Sequence, residues 1–132
     1  MMVAEAGDQP GVLIVEDDRD TQIYMAALLG RRYRLLLASS GSEARQQLTA
    51  NRGQISLILM DLSLKGGEDG ISLTRFVRTE EALQRIPIIA TTAHAYPKDE
   101  QAALGAGCDA YLAKPYEGRK LLACMETLLG RG

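Results

Sequence analysis

The chain has 132 residues, of which 46% are hydrophobic, and a formal net charge of −2 at pH 7. This length and hydrophobic content predict one domain with a single core. The charge balance disfavours direct binding of nucleic acid, which normally requires a basic patch or stripe. No apolar run approaches the roughly 18 residues of a membrane span. Because Glu5 and Asp8 also interrupt any secretion signal, we predict a cytoplasmic protein with no membrane partner.

The first ten residues are small and polar and end in Pro10, which predicts a flexible leader over residues 1–10 and a folded domain over residues 11–132. Cys108 and Cys124 stand apart from each other, without CxxC spacing or a local histidine that would complete a zinc site. We therefore predict two reduced thiols.

Five short apolar runs alternate with five segments of helical pattern. The predicted strands cover residues 12–15, 33–38, 55–61, 87–92 and 109–113. Runs that are apolar on both faces are typical of strands covered by helices on both sides of a sheet. The alternation of strand and helix therefore predicts an α/β fold with a parallel, doubly wound sheet and right-handed crossovers.

The helix after the first strand has clear end signals. Asp18 or Asp20 can act as its N-cap, and Gly30 can close it. Its apolar side is predicted to include Ile23, Ala26 and Ala27.

Charged and hydroxyl side chains stand at the carboxyl ends of the predicted strands. Glu16 and Asp17 follow the first strand, and Asp61 ends the third. Thr92 ends the fourth strand, and Lys114 follows the fifth. Ligands of such sheets bind beyond the carboxyl ends of the strands, near the point where strand order reverses. We therefore expect these five side chains to share one site.

The types of these residues indicate phosphoryl chemistry. Clustered carboxylates repel one another, and an oxygen-only ligand set without His or Cys suits Mg²⁺. A calcium loop after Asp61 is excluded, because Ser72 stands at the twelfth position, where a Glu is needed. With Mg²⁺ and Lys114 neutralising a phosphoryl group and Thr92 donating to it, Asp61 can attack phosphorus and form an acyl phosphate.

Several ordered motifs resemble the receiver domain of bacterial two-component response regulators, from residue 12 to about residue 129. They are VLIVEDD at 12–18, MD at 60–61, DG at 69–70, TA at 92–93 and KP at 114–115. The resemblance implies a flavodoxin-like fold whose five-stranded parallel sheet has the strand order 2-1-3-4-5.

The same resemblance implies roles for the acidic residues. Asp61 would be the phosphoacceptor, supplied by a phosphohistidine on a sensor histidine kinase or a histidine phosphotransfer protein. Asp17 and Asp61 would hold Mg²⁺ together with the backbone carbonyl of Ser63, and Glu16 would act through water. The chain would be a signalling phosphoprotein rather than a turnover enzyme.

The resemblance also implies a conformational switch. Phosphoryl binding and switching would involve Thr92, Ala93 and Lys114, with Tyr111 as the aromatic switch residue. The bond between Lys114 and Pro115 would be cis. The output surface would be the face of the fourth helix, fifth strand and fifth helix, to which Tyr96 and Tyr116 are candidate contributors.

Three further positions bear on the resemblance. Ser63 and His94 stand where family members tune the hydrolysis of the phosphoryl group, and we hypothesise the same role here. Lys65 stands where family members commonly have proline, and a pair of glycines follows it. The loop after Asp61 therefore departs from the family pattern.

Three other functions are alternatives to a phosphate-accepting receiver. A magnesium-dependent phosphatase would usually have a second Asp at position 63 and a cap over its substrate. A nucleotide-binding Rossmann unit would have G-x-G-x-x-G after the first strand, and that motif is absent. A receiver-like interaction module that never takes phosphate stays open. If the chain is a whole gene product, we expect a stand-alone receiver, and otherwise the receiver of a hybrid kinase or larger regulator.

Overall fold

The computed structural model describes residues 9–65, 67–93 and 96–130. Within these ranges, five strands alternate with five helices. The strands are β1 (Gly11–Val15), β2 (Arg34–Ala38), β3 (Leu57–Asp61), β4 (Ile88–Thr92) and β5 (Ala110–Ala113). The helices are α1 (Arg19–Leu29), α2 (Gly41–Ala50), α3 (Gly70–Thr79), α4 (Pro97–Ala106) and α5 (Gly118–Gly130).

The strands form one parallel sheet in the order β2-β1-β3-β4-β5, as the sequence predicts. The strand order reverses between β1 and β3, because β1 connects outward to β2 and the later strands extend the other way. In register, Val15 pairs with Met60, and Asp61 pairs with Thr91. The carboxyl ends of the three central strands therefore meet at one rim of the sheet.

The core lies on both faces of the sheet. Side chains alternate between the two faces of a strand, so Leu13 and Ile58 pack on the face that carries α2, α3 and α4. Val12 and Leu57 pack on the opposite face, with α1 and α5. All residues of β1, β3 and β4 are buried. Helices on both sides therefore fix the central strand ends that carry the site.

The predicted apolar face of α1 is wrong. Ile23 is 57% exposed, and Ala26 and Ala27 are also exposed. The buried face consists of Gln22, Met25 and Leu29. Met25 and Leu29 have the spacing of one helix face, and packing them on the sheet turns Ile23 outward. The end signals are correct, because Asp18 is the N-cap and its carboxylate accepts from the Thr21 N–H.

Arg78, near the end of α3, forms hydrogen bonds at the rim of the sheet opposite the predicted site. Its guanidinium donates to Asp109 Oδ2 over 2.8 Å. It also donates to three backbone carbonyls, those of Gln84, Ile86 and Gly107. One side chain therefore joins α3 to the connections that lead into β4 and β5.

Both cysteines are thiols outside any disulfide bond, as predicted. Cys108 is buried and Cys124 is half-buried. No helix in the described part of the chain is long and apolar enough to cross a membrane.

Candidate functional site

Asp61 occupies the last position of β3, and its side chain is 3% exposed. The Leu62 N–H donates to the Thr91 carbonyl, which extends the pairing of β3 with β4 by one residue. The Ser63 N–H then donates to Asp61 Oδ1 over 2.8 Å. The chain therefore turns at the rim with the Asp61 carboxylate held by its own loop.

Two other carboxylates lie beside Asp61. Glu16, Asp17 and Asp61 each offer an oxygen, and the three oxygens lie within 4.8 Å of one another. Glu16 is buried at 2% exposure, and its backbone N–H donates to Ala38 of β2. Asp17 is half-buried. The structure thus brings together the three acidic residues that the sequence places at strand ends.

Lys114 brings a positive charge to the same point. Its backbone N–H donates to the Thr92 carbonyl over 2.7 Å. Its Nζ donates to Glu16 Oε1 over 2.8 Å and lies 3.6 Å from Asp61 Oδ2. Burial works to lower the pKa of Lys114, but the hydrogen bond to Glu16 and the charges of Asp61 and Glu16 raise it. The peptide bond from Lys114 to Pro115 is cis, as the resemblance implies.

One ammonium faces three carboxylates, so the site has an excess of negative charge. Burial raises the pKa of Glu16, and the neighbouring Asp61 adds to this effect, although hydrogen bonds from Lys114 and from the Asp18 N–H oppose it. A carboxylate with a raised pKa is one whose charge is incompletely compensated. The site would therefore gain from a further cation.

The hydrogen bonds around the carboxylates fit a hard divalent ion. Both oxygens of Glu16 accept protein donors, Lys114 Nζ and the Asp18 N–H, which favours contact with an ion through water. Asp17 Oδ2 accepts the Lys65 N–H, and its other oxygen has no donor among the described residues. Oxygen ligands with positions left for water are typical of Mg²⁺ sites. The residues present therefore fit a magnesium ion.

A hydroxyl pair borders the cluster. Thr92, at the end of β4, is 3% exposed, and its Oγ1 lies 3.4 Å from Ser63 Oγ. Ala93 follows Thr92 and is exposed. Tyr111 lies on β5 opposite Ala90 and is half-buried. His94 lies outside the described residues.

Tyr111 lies near the acidic first turn of α4. Burial raises the pKa of Tyr111, and the charges of Asp99 and Glu100 in the first turn of α4 add to the rise. The position predicted for the aromatic switch therefore lies beside the helix that follows Thr92.

A cleft opens beside Lys114. Its volume is about 390 Å³, and it is lined by Asp20, Thr21, Tyr24, Lys114, Pro115 and Tyr116. The Tyr116 hydroxyl donates to Met25 Sδ over 3.5 Å. Burial, with the charges of Glu16 and Asp61, raises the pKa of Tyr116 to about 12. The cleft thus runs between the start of α1 and the loop after β5, with the site lysine in its wall.

Sequence reasoning missed two groups that support the site. Gln22 is buried in α1 and donates to the Glu16 carbonyl over 2.6 Å and to Ser39 Oγ over 3.0 Å. The backbone N–H of Lys65 donates to Asp17. The spacing of Gln22 with Met25 and Leu29 on one helix face could have predicted that Gln22 is buried. The Lys65 amide lies 48 residues from its acceptor, Asp17, and no sequence pattern predicts that contact.

Comparison with known proteins agrees with this geometry. Residues 12–126 match the family model of the response regulator receiver domain. The transcriptional regulatory protein GltR of Pseudomonas aeruginosa is 36% identical over 91% of this chain, and the chain spans about half (49%) of its length. The polar-differentiation response regulator DivK of Brucella ovis is 32% identical, with 90% of this chain and 95% of DivK covered.

A solved structure is similar in sequence and fold. The receiver domain of the sensor histidine kinase PA1611 of Pseudomonas aeruginosa PAO1 has a TM-score of 0.82 and 36% identity, covering 92% of this chain and 98% of that one. That structure has a magnesium ion coordinated in the active site cleft. With the family match over most of its length, this chain belongs to the response regulator receiver domains of two-component signal transduction.

Proposed function

We propose that this chain accepts a phosphoryl group on Asp61 and signals through the resulting change of conformation. The donor is a phosphohistidine on a sensor histidine kinase or on a histidine phosphotransfer protein. One observation carries the proposal: the buried Asp61 carboxylate lies between an ammonium, Lys114 Nζ at 3.6 Å, and the carboxylates of Glu16 and Asp17. A receiver domain needs such a nucleophile with cations around it to stabilise a phosphoryl group in transfer.

The transfer requires one bond to form and one to break. A carboxylate oxygen of Asp61 attacks phosphorus and forms an acyl phosphate. The bond from phosphorus to the imidazole nitrogen of the donor breaks, and its electron pair returns to the ring, which takes up a proton. The ammonium of Lys114 faces Asp61 Oδ2 and offsets charge on the phosphoryl oxygens.

The proposed cofactor is Mg²⁺. Asp17, Asp61 and the backbone carbonyl of Ser63 would hold it directly, and Glu16 would hold it through water. When bound, the ion neutralises phosphoryl charge and orients the oxygens for in-line transfer. The ammonium of Lys114, which donates to Glu16 Oε1, supplies the protein's own positive charge.

The switch we propose begins at Thr92. A phosphoryl group adds about −1.5 to −2 charge and strong acceptor oxygens, and the Thr92 hydroxyl and the Ala93 N–H would donate hydrogen bonds to them. Drawing Thr92 inward changes the space beside Tyr111, which would turn inward. Full reversal between two states requires about 5.5 kcal/mol of differential stabilisation. Charge-assisted hydrogen bonds from Lys114 and Thr92 are of the kind that supply it.

We propose separate surfaces for donor and output. The donor phosphohistidine would enter the cleft whose wall contains Lys114, next to the exposed Tyr24 of α1. The output partner would bind the face of α4, β5 and α5, where Tyr96 and Leu104 are 60% and 46% exposed. Phosphorylation would change this second face through Thr92 and Tyr111.

The proposed role is acceptance of one phosphoryl group with slow self-hydrolysis, rather than turnover of a phosphomonoester. Asp-nucleophile phosphatases usually have an acidic residue two positions past the nucleophile, and Ser63 stands there. The Ser63 hydroxyl lies 3.4 Å from Thr92 Oγ1, which supports a role for Ser63 in setting the lifetime of the phosphoryl group. We propose the same influence for His94.

The test is intact-mass spectrometry after incubation with acetyl phosphate and Mg²⁺. The unmodified chain should gain one phosphoryl group, and Asp61→Asn should gain none. Omitting Mg²⁺ should abolish the gain. Equal uptake by the two proteins would exclude Asp61 as the acceptor, and continuous release of phosphate from a phosphomonoester would favour the phosphatase.

A further inference from the structure

We propose that the backbone amide of Lys65 is a positioning group for the cation site, because it holds the Asp17 carboxylate in its ligating orientation. The Lys65 N–H donates to Asp17 Oδ2 over 2.9 Å. This contact joins the loop after β3 to the acidic residue after β1. The inference rests on the proposed function, since it assigns a role within the same Mg²⁺ site.

Each carboxylate of the site accepts one backbone N–H. The Asp18 N–H donates to Glu16 Oε2 over 3.0 Å, and the Ser63 N–H donates to Asp61 Oδ1 over 2.8 Å. In both cases donor and acceptor are two residues apart. The donor to Asp17 comes from a different loop. Asp17 is therefore the one of these three carboxylates whose backbone donor belongs to a loop other than its own, the loop after β3.

The orientation matters because Asp17 is the least buried of the three. Glu16 and Asp61 are almost fully enclosed, whereas Asp17 is half-buried. With Oδ2 occupied by the Lys65 N–H, Oδ1 is left for the ion. Hydrogen bonds that orient metal ligands typically change metal affinity by about 10- to 100-fold when they are lost.

The contact uses the backbone of Lys65 and not its side chain. Lys65 is exposed, and within the described ranges its ammonium forms no ion pair. Any residue with an amide hydrogen can make the bond, but proline cannot. Related domains commonly have proline at this position. The Lys65 N–H is available as a donor because this sequence has lysine there instead.

A second contact fixes the far side of the same loop. Glu68 forms two hydrogen bonds of 2.6 Å with the guanidinium of Arg45 on α2. The guanidinium also lies over the ring of Phe76 on α3, 4.0 Å from its centroid. The loop is therefore held on one side by α2 and α3, and its other side presents the Lys65 amide to Asp17.

The experiment compares Mg²⁺ affinity by isothermal titration in the unmodified chain, Lys65→Pro and Lys65→Ala. Lys65→Pro removes the N–H, whereas Lys65→Ala removes the ammonium and keeps the N–H. We expect Lys65→Pro to bind Mg²⁺ about 10-fold or more weakly, and Lys65→Ala to bind as tightly as the unmodified chain. Equal affinity in all three, or equal loss in both variants, would overturn the proposal.

A second measurement does not depend on how well Lys65→Pro folds. Amide hydrogen exchange in the metal-free chain should be slow at Lys65 and faster in Asp17→Ala, which lacks the acceptor. Equal exchange at Lys65 in the two proteins would overturn the proposal. If the unmodified chain takes up no Mg²⁺, the proposed cation site itself fails. If it binds Mg²⁺ and Lys65→Pro binds equally well, only the role of the amide fails.

Discussion

Lys114 Nζ lies 2.8 Å from Glu16 Oε1 and joins two residues that are 98 positions apart. Glu16 follows β1 and Lys114 follows β5, and two strands of the sheet, β3 and β4, lie between them. The pair therefore spans the rim above Asp61. Its ammonium serves the site in two ways, since it compensates the buried Glu16 and faces the proposed nucleophile.

Replacing Lys114 with Met should destabilise the chain. The change leaves the buried Glu16 without its charged donor, and loss of such a partner costs about 1–3 kcal/mol. Urea unfolding in EDTA measures the difference. Lys120→Met is the matched control, because Lys120 is exposed on α5 and should change stability by less than about 0.5 kcal/mol. Equal stability of the two variants would contradict the importance of the pair.

Adding Mg²⁺ should stabilise the chain, because an ion that binds only the folded state raises the free energy of unfolding. At a concentration 100 times Kd the gain is about 2.7 kcal/mol. Asp17→Asn should lose most of this gain. Asp18→Asn should keep it, because Asp18 caps α1 and Asn caps equally well. Thermal unfolding with and without Mg²⁺ distinguishes the variants, and equal loss in both would contradict the ligand assignment.

Replacing Arg78 with Met should lower stability without affecting phosphorylation. Arg78 donates to three backbone carbonyls and to Asp109 at the rim opposite the site. Loss of these bonds should lower the free energy of unfolding by about 2 kcal/mol or more. Arg75→Met, an exposed position on the same helix, serves as the control. If Arg78→Met has the same free energy of unfolding as Arg75→Met, water replaces the hydrogen bonds of Arg78 without loss of stability.

Acid should remove the contribution of the pair between Glu68 and Arg45. The hydrogen bonds from Arg45 hold the pKa of Glu68 below its ordinary value, against the opposing effect of burial. A lowered pKa in the folded state stabilises the fold above the unfolded pKa of about 4.3. This contribution is lost as the pH falls through the folded pKa.

Glu68→Gln should therefore be less stable than the unmodified chain at pH 7, and the difference should shrink in acid. Urea unfolding over a range of pH provides the test. Glu81→Gln, an exposed position just after α3, serves as the matched control. If the stability difference between Glu68→Gln and the unmodified chain stays constant from neutral pH to below the folded pKa, the charge of Glu68 does not stabilise the fold.

The strand ends could be predicted because two simple patterns coincide there. Runs buried on both faces of a parallel sheet are apolar throughout, and each run stops at a polar residue. Parallel strands then bring Glu16, Asp61 and Lys114 to one rim, although they are far apart in sequence. No side-chain geometry was needed to place these residues in one site.

The face of α1 could not be predicted from the same kind of pattern. Ile23 is apolar but exposed, whereas Gln22 is polar but buried and bonded to the Glu16 carbonyl. The choice depends on how the helix packs on the sheet. The Lys65 amide is a further case, because every residue except proline has an N–H and only the path of the loop brings this one to Asp17.

The central claim is that Asp61 is the phosphoacceptor, and chemical trapping tests it most directly. Borohydride reduces an aspartyl phosphate to homoserine, which peptide mass spectrometry locates by residue. After incubation with acetyl phosphate and Mg²⁺, the account predicts homoserine at position 61, with Asp17 and Asp69 unmodified. Homoserine at another aspartate, or phosphate retained on a histidine with position 61 unmodified, would contradict it.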